Sequence, residues 1–259
     1  MMDVLVEKRG HILLIGWNRP KKYNALTVAM FHELARAYHQ LQTDDDLRVA
    51  VVYGEGDHFT AGLQLDDWTE VLSGGQLPEL ADDEIDPYGL TGEPLRKPVI
   101  TAVKGLCYTA GVELMLNSDI RVAADNTRFA QLEVQRGFHA CGGATLRLPQ
   151  EIGWSNAQRY LLTGDEWTAQ QALQWGMVQE VVSPDEVLPT ALAIAERIAK
   201  AAPLGVQGSL MSSKYVRIQG EAESKGRMMT DLLPIMASDD MKEGVMSFLE
   251  RREANFKGK

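Results

Sequence analysis

Cysteine is scarce in this 259-residue chain, which has only Cys107 and Cys141. Two cysteines build no disulfide framework, and neither stands at a metal-ligand spacing. A reducing, cytoplasmic setting is therefore the expectation. Long apolar runs are missing too: no stretch reaches the roughly 18 residues that a membrane span needs. The opening MMDVLVEKRG lacks the charged-then-apolar layout of a secretory signal. Positive charge is in deficit, with 26 Lys and Arg against 36 Asp and Glu and a net charge of −10. That balance disfavours nucleic acid or an anionic membrane as the main partner. A small anionic ligand would need a local basic patch. No internal repeat or low-complexity tract occurs. What remains is ordinary for a globular protein, 45% hydrophobic and 24% charged, with ample material for a large core.

The most informative stretch runs from Lys104 to Thr145. An apolar run, Val99 to Val103, precedes it; Gly105 breaks the chain, and a helical pattern begins near Ala110 and Gly111. Strand, glycine turn and helix in that order aim free helix N–H groups at one point, which suits an anion or an oxygen that becomes negative during a reaction. A second strand-to-glycine turn lies at Ala61-Gly62-Leu63. Two N–H donors from separate turns can grip one carbonyl oxygen; if that carbonyl belongs to a thioester, the grip favours an enolate. Losing one such donor typically costs about 3–4 kcal/mol of transition-state stabilisation. Glu113, in the first helical turn, and Glu133 are acids whose pKa values burial would raise towards neutrality. Taken alone, Glu113 is accounted for by the helix dipole, worth about 0.3–1 kcal/mol, and Glu133 by a charge at a strand end. The conjunction with the glycine turns argues for chemistry.

Residues 3–9 and 11–17 read as two strands joined at Gly10. Thr27 caps an amphipathic helix carrying Phe31, Leu34, Ala35, Tyr38 and Leu41. Residues 48–53 form a strand apolar enough for burial on both faces. Residues 71–97, rich in Gly, Pro, Asp and Glu, read as a mobile loop or short helices near a site entrance. Short strands are expected at 120–124 and 128–131, and helices at 156–163 and 168–175. Ser183-Pro184-Asp185-Glu186 has the layout of a helix cap, with Pro189 set to kink or delay the helix that follows. Beyond residue 203 only helical patterns occur. The expected architecture is α/β, with a core over 1–202 and an all-helical part over 203–259. His11, His32, His39 and His58 read as structural, and Cys141 as a packing residue.

Seven segments, in order, resemble the crotonase (enoyl-CoA hydratase/isomerase) superfamily: NRPKKYNAL (18–26), FTAGLQL (59–65), the VKG…AGVEL run (103–114), SDIRVAADNTRFAQLEV (118–134), CGGATLRL (141–148), LLTGDEWTAQQALQWGMVQEVV (161–182) and FLERREANFKGK (248–259). The resemblance implies a crotonase-like spiral of ββα turns whose C-terminal helices build trimers, often paired into hexamers. It also implies an acyl-CoA thioester substrate and no metal or redox cofactor. By position it assigns the oxyanion-hole amides to Leu63 and Ala110 and the acid–base pair to Glu113 and Glu133. It puts Lys21, Lys22, Tyr23, Ala61, Leu63, Gln64, Gly111 and Cys141 along the CoA thioester, and gives Phe248 and Arg251 to a neighbouring subunit's CoA. Both glutamates together favour hydration of a 2-enoyl-CoA, or its reversal, over double-bond isomerisation; a non-catalytic acyl-CoA binder is the third reading.

Three departures bear on substrate. Gln64 stands where an aspartate is usual, Thr109-Ala110-Gly111 replaces a run of glycines, and Phe138-His139-Ala140-Cys141 replaces a segment that usually contains Pro-Gly.

Overall fold

The computed structural model describes residues 2–259. In chain order its elements are β1 (Val4–Arg9), β2 (Ile12–Trp17), α1 (Val28–Thr43), β3 (Val49–Gly54), α2 (Leu65–Gly74), β4 (Val99–Val103), β5 (Leu106–Tyr108), α3 (Ala110–Asn117), β6 (Ile120–Ala124) and β7 (Arg128–Ala130). There follow α4 (Ala144–Ile152), α5 (Trp154–Thr163), β8 (Trp167–Thr168), α6 (Ala169–Gln174), β9 (Glu180–Val182), α7 (Val187–Lys200), α8 (Pro203–Gln219), α9 (Glu221–Ser224), α10 (Met228–Met236) and α11 (Asp239–Glu250).

Two sheets form. The larger has the order β1-β2-β3-β4-β6-β9 and the smaller β5-β7-β8. β1 and β2 make an antiparallel hairpin, and the other strands of the large sheet run parallel. β4 lies in the large sheet and its successor β5 in the small one; β6 and β7 repeat the move. This alternation is the ββα spiral. It carries the ends of β3, β4 and β5 to one side of the molecule, where the glycine turns begin.

Strand burial follows from the two-residue period of side chains. Leu13, Ile15, Ala50 and Val52 join the core beneath α1 and α3. Ile12, Leu14, Val49 and Val51 face the other way and pack with Val187, Ala191, Ile194 and Ala195 of α7. Both faces of β2, β3 and β4 are thus covered, so their sequences are almost continuously apolar.

Of the two expected caps, Thr27 holds and Ser183 does not, while Thr168, expected as the first residue of a helix, ends β8 and caps α6. Thr27 Oγ1 accepts from the Met30 N–H at 3.1 Å, and Thr168 with Gln171 forms a reciprocal capping box. The Ser183 hydroxyl donates to Glu186 rather than accepting from the backbone. Pro184–Glu186 forms a 3-10 turn, and α7 starts at Val187, so Pro189 falls in the first helical turn and delays the helix without kinking it. Strand β7 ends at Ala130, one residue short of the expected 131.

Candidate active site

The two glycine turns meet. Thr60 bridges to Cys107 in parallel, with the Thr60 N–H donating to Leu106 O at 2.9 Å and the Tyr108 N–H to Thr60 O at 3.1 Å. A Cβ on Gly62 would lie 2.0 Å from Thr109 Oγ1, and one on Gly111 would lie 2.5 Å from Thr60 Cγ2. Gly62 also has φ +104°, so this turn requires glycine on two counts.

Both expected amides end up unspent. Leu26 bridges Leu63 through the Gly62 carbonyl and the Gln64 N–H, each bond 2.8 Å, which leaves the Leu63 N–H on the opposite edge. Ala110 is the first residue of α3, where a helical N–H has no partner within the helix. The strain in this turn falls on the residue before it: Thr109 has φ 48° and ψ −113°, a conformation unfavourable for a β-branched side chain. It is held there by its N–H to Ala130 O at 2.8 Å and by the Glu113 N–H to its carbonyl at 3.1 Å.

Glu113 and Glu133 are both buried, at 3% and 5% exposure. Glu113 Oε1 accepts from the N–H groups of Gly142 at 2.6 Å and Ala144 at 3.1 Å, at the start of α4. Burial, followed by the charge of Glu133, pushes the Glu113 carboxyl up to about 8, against the two N–H groups and the Arg147 guanidinium, which pull it down. Burial likewise raises Glu133 to about 7. Glu133 does not end a strand. It opens a 3-10 turn, Glu133–Arg136, and the turn directs it inward.

Gln131 is 1% exposed and packs its amide against Glu133. With its nitrogen towards the carboxylate it donates to both oxygens at 2.8 Å; the opposite orientation offers only a 3.4 Å contact from Nε2 to the Thr109 carbonyl. The first arrangement satisfies a buried acid and is the better one.

Around this centre the remaining candidates divide. Lys21 and Lys22 lie on an exposed 3-10 turn and have no carboxylate partner among the described residues. The carbonyl of exposed Tyr23 accepts from the Ala61 N–H at 2.9 Å, tying this turn to the glycine turn. Gln64 Oε1 accepts from Arg19 at 2.7 Å, so an amide holds the guanidinium where a carboxylate is usual. Cys141 and His139 line a cavity of about 730 Å³ between α2 and the 138–141 loop, together with Leu72 and Leu77 of the 71–97 stretch. His139 Nδ1 lies 2.9 Å from the Ala140 carbonyl. Phe248, 81% exposed, and Arg251 sit at the end of α11 and line no part of this cavity. His32 pairs with buried Glu84, and His58 accepts from the Leu106 N–H; both are structural.

Gly142, Ala144, Gln131 and Arg147 were not singled out from sequence. The glycine pair in CGGAT, placed just before a helix, was the available signal for an anion held by helix N–H groups.

The family model described as enoyl-CoA hydratase/isomerase matches residues 7–259. The chain belongs to this family. Among its relatives, enoyl-CoA hydratase EchA19 of Mycobacterium tuberculosis is 34% identical over 260 residues, covering 99% of this chain and 97% of the relative. The 2,3-dehydroadipyl-CoA hydratase of Escherichia coli is 33% identical, with both chains fully covered. A probable enoyl-CoA hydratase/isomerase from Mycobacterium abscessus has a solved structure that superposes with a TM-score of 0.96 at 41% identity, over 100% of this chain and 99% of the other. The crotonase resemblance read from seven segments therefore holds along the whole chain. No helix among the described residues is long and apolar enough to cross a membrane.

Proposed function

We propose that this enzyme adds water across the double bond of a 2-enoyl-CoA thioester, or runs the reverse dehydration. The observation that carries this reading is the pair of buried carboxyl groups, Glu113 and Glu133, raised to about 8 and about 7 beside two unspent amides. Near neutral pH the pair holds one proton between them. Water held by both loses a proton to the ionised carboxylate as its oxygen bonds to the β-carbon. The electron pair of the double bond moves onto the thioester oxygen, where the Leu63 and Ala110 N–H groups receive it. Collapse of the enolate takes the other carboxyl's proton onto the α-carbon. One proton remains on the pair, so the site is ready for another turnover. The step balances with thioester and water alone and calls for no metal or redox cofactor.

In this reading Lys21 and Lys22 meet CoA phosphates, Tyr23, Ala61 and Gln64 line the nucleotide and pantetheine path, and Gly111 permits the close approach of the two turns. Phe248 and Arg251 would serve a neighbouring subunit's CoA in a trimer or a dimer of trimers. The apolar side chains left exposed on α10 and α11, including Met228, Met229, Leu233 and Phe248, support such an assembly.

The test is hydration of 2-enoyl-CoAs followed by loss of the conjugated-thioester absorbance. Water addition is the expected result. Double-bond migration without it would select isomerase chemistry, and tight acyl-CoA binding without turnover of any thioester would select the non-catalytic reading.

A further inference from the structure

None of Leu63, Ala110, Glu113 and Glu133 lines the 730 Å³ cavity, but the chain joins its walls directly to both halves of the site. Cys141, on its wall, immediately precedes the Gly142 whose N–H bonds Glu113, and Leu65, on the facing wall, lies two residues beyond Leu63. Its volume is that of a pocket enclosing a whole small ligand, about 300–1,000 Å³, and is far more than a four-carbon acyl group fills. Its walls are mostly apolar: Leu65, Leu72, Leu77, Leu90 and Phe138. Two of its polar residues are turned back on their own helix, Thr69 Oγ1 donating to Leu65 O at 2.8 Å and Ser73 Oγ to Thr69 O at 2.7 Å. Among the described residues no Lys, Arg, Asp or Glu lines it. Arg147 is directed elsewhere: it donates to Gly89 O at 3.1 Å and borders a separate cavity of about 450 Å³.

Building on the hydratase reading, we infer that the acyl group taken by this site is bulky, apolar and uncharged, and that acyl groups ending in a carboxylate are rejected. A terminal carboxylate would have to leave water for a wall that offers it no Lys or Arg and, besides Thr69 and Ser73, only the side chains of Gln76 and His139 as polar partners. Each methylene added to an apolar chain, by contrast, would gain about 4-fold in kcat/KM until the cavity is filled. The inference separates this chain from the 2,3-dehydroadipyl-CoA hydratase it resembles, whose named substrate carries such a carboxylate.

The experiment compares kcat/KM of the full chain on crotonyl-CoA, 2-hexenoyl-CoA, 2-octenoyl-CoA and 2,3-dehydroadipyl-CoA, the second being the uncharged match of the last. The expected order has 2-octenoyl-CoA at least ~10-fold above crotonyl-CoA, and 2,3-dehydroadipyl-CoA at least ~100-fold below 2-hexenoyl-CoA. In Leu65→Arg, at an already half-exposed wall position, the ratio between those two should shrink by ~10-fold or more. Crotonyl-CoA or 2,3-dehydroadipyl-CoA as the best substrate would overturn the inference and leave the hydratase reading standing. Hydration of none of the four would remove both.

Discussion

Glu113 Oε1 accepts a hydrogen bond from the main-chain N–H of Gly142 at 2.6 Å. The approach is so close that a Cβ on Gly142 would lie 2.6 Å from Glu113 Oε2 and 2.7 Å from the Tyr88 ring. Tyr88 is buried, stacks on Phe31 and cannot swing aside. Gly142→Ala should therefore push the Glu113 carboxyl out of register while leaving the fold intact. A displacement of about 1 Å costs on the order of 10²-fold in rate. Steady-state kinetics beside a far-UV CD spectrum will check this; an alanine variant with native turnover would show that Glu113 needs no such placement.

The two raised carboxyls set the pH profile of kcat/KM. Below about 7 both are protonated and no base is present; above about 8 both are ionised and no acid remains. A bell with its maximum between about 7 and 8 is expected. Gln131 stabilises ionised Glu133 through its amide N–H groups, so Gln131→Leu should raise the Glu133 pKa and move the acidic limb to higher pH. An acidic limb that stays in place would remove Gln131 from this role.

Stability should respond to the same groups. A carboxyl whose folded pKa lies above its unfolded value of about 4.5 gives stability that is fully present below that value and is lost as pH rises through the folded pKa. The ligand-free enzyme should thus lose stability between about pH 4.5 and about 8. Glu113→Gln keeps an acceptor for the Gly142 and Ala144 N–H groups and removes the buried charge, so its Tm should exceed that of the wild type at pH 8 and approach it at pH 5. Thermal unfolding at the two pH values is the check; a variant less stable at pH 8 than the wild type would contradict the sign.

Thr109 carries the backbone strain of the Ala110 turn. Relief of a sparsely populated conformation is worth about 1–3 kcal/mol, and the added freedom of glycine in the unfolded chain costs roughly 0.5–1 kcal/mol. Thr109→Gly should stabilise the protein by about 1 kcal/mol, measured by chemical denaturation. A destabilised variant would mean that the threonine side chain, against Gly62, contributes more than its backbone costs.

Much of this architecture was legible from residue order. Strands β2, β3 and β4 announce themselves because burial on both faces leaves little room for polar residues, and Thr27 marks a helix start through a hydroxyl that accepts a backbone N–H. The long-range fits could not be read in the same way. Glu133 looked like a strand end because a 3-10 turn has no periodic signature, and its inward aim depends on that turn. The contact of Gly62 with Thr109, and of Arg19 with Gln64 at 2.7 Å, joins segments far apart in sequence. Within Thr109-Ala110-Gly111 the strain falls on Thr109, since only the folded turn shows which residue takes the positive φ.

The most direct test of the central claim is hydration of 2-octenoyl-CoA in ¹⁸O-labelled, deuterated water by the wild type, Glu113→Gln and Glu133→Gln. The wild-type product should carry solvent oxygen on the β-carbon and a single solvent hydrogen on the α-carbon, and each variant should lose about 10²- to 10⁴-fold in kcat with acyl-CoA binding kept. Full turnover in either variant would contradict an acid–base pair gathered beside two amides.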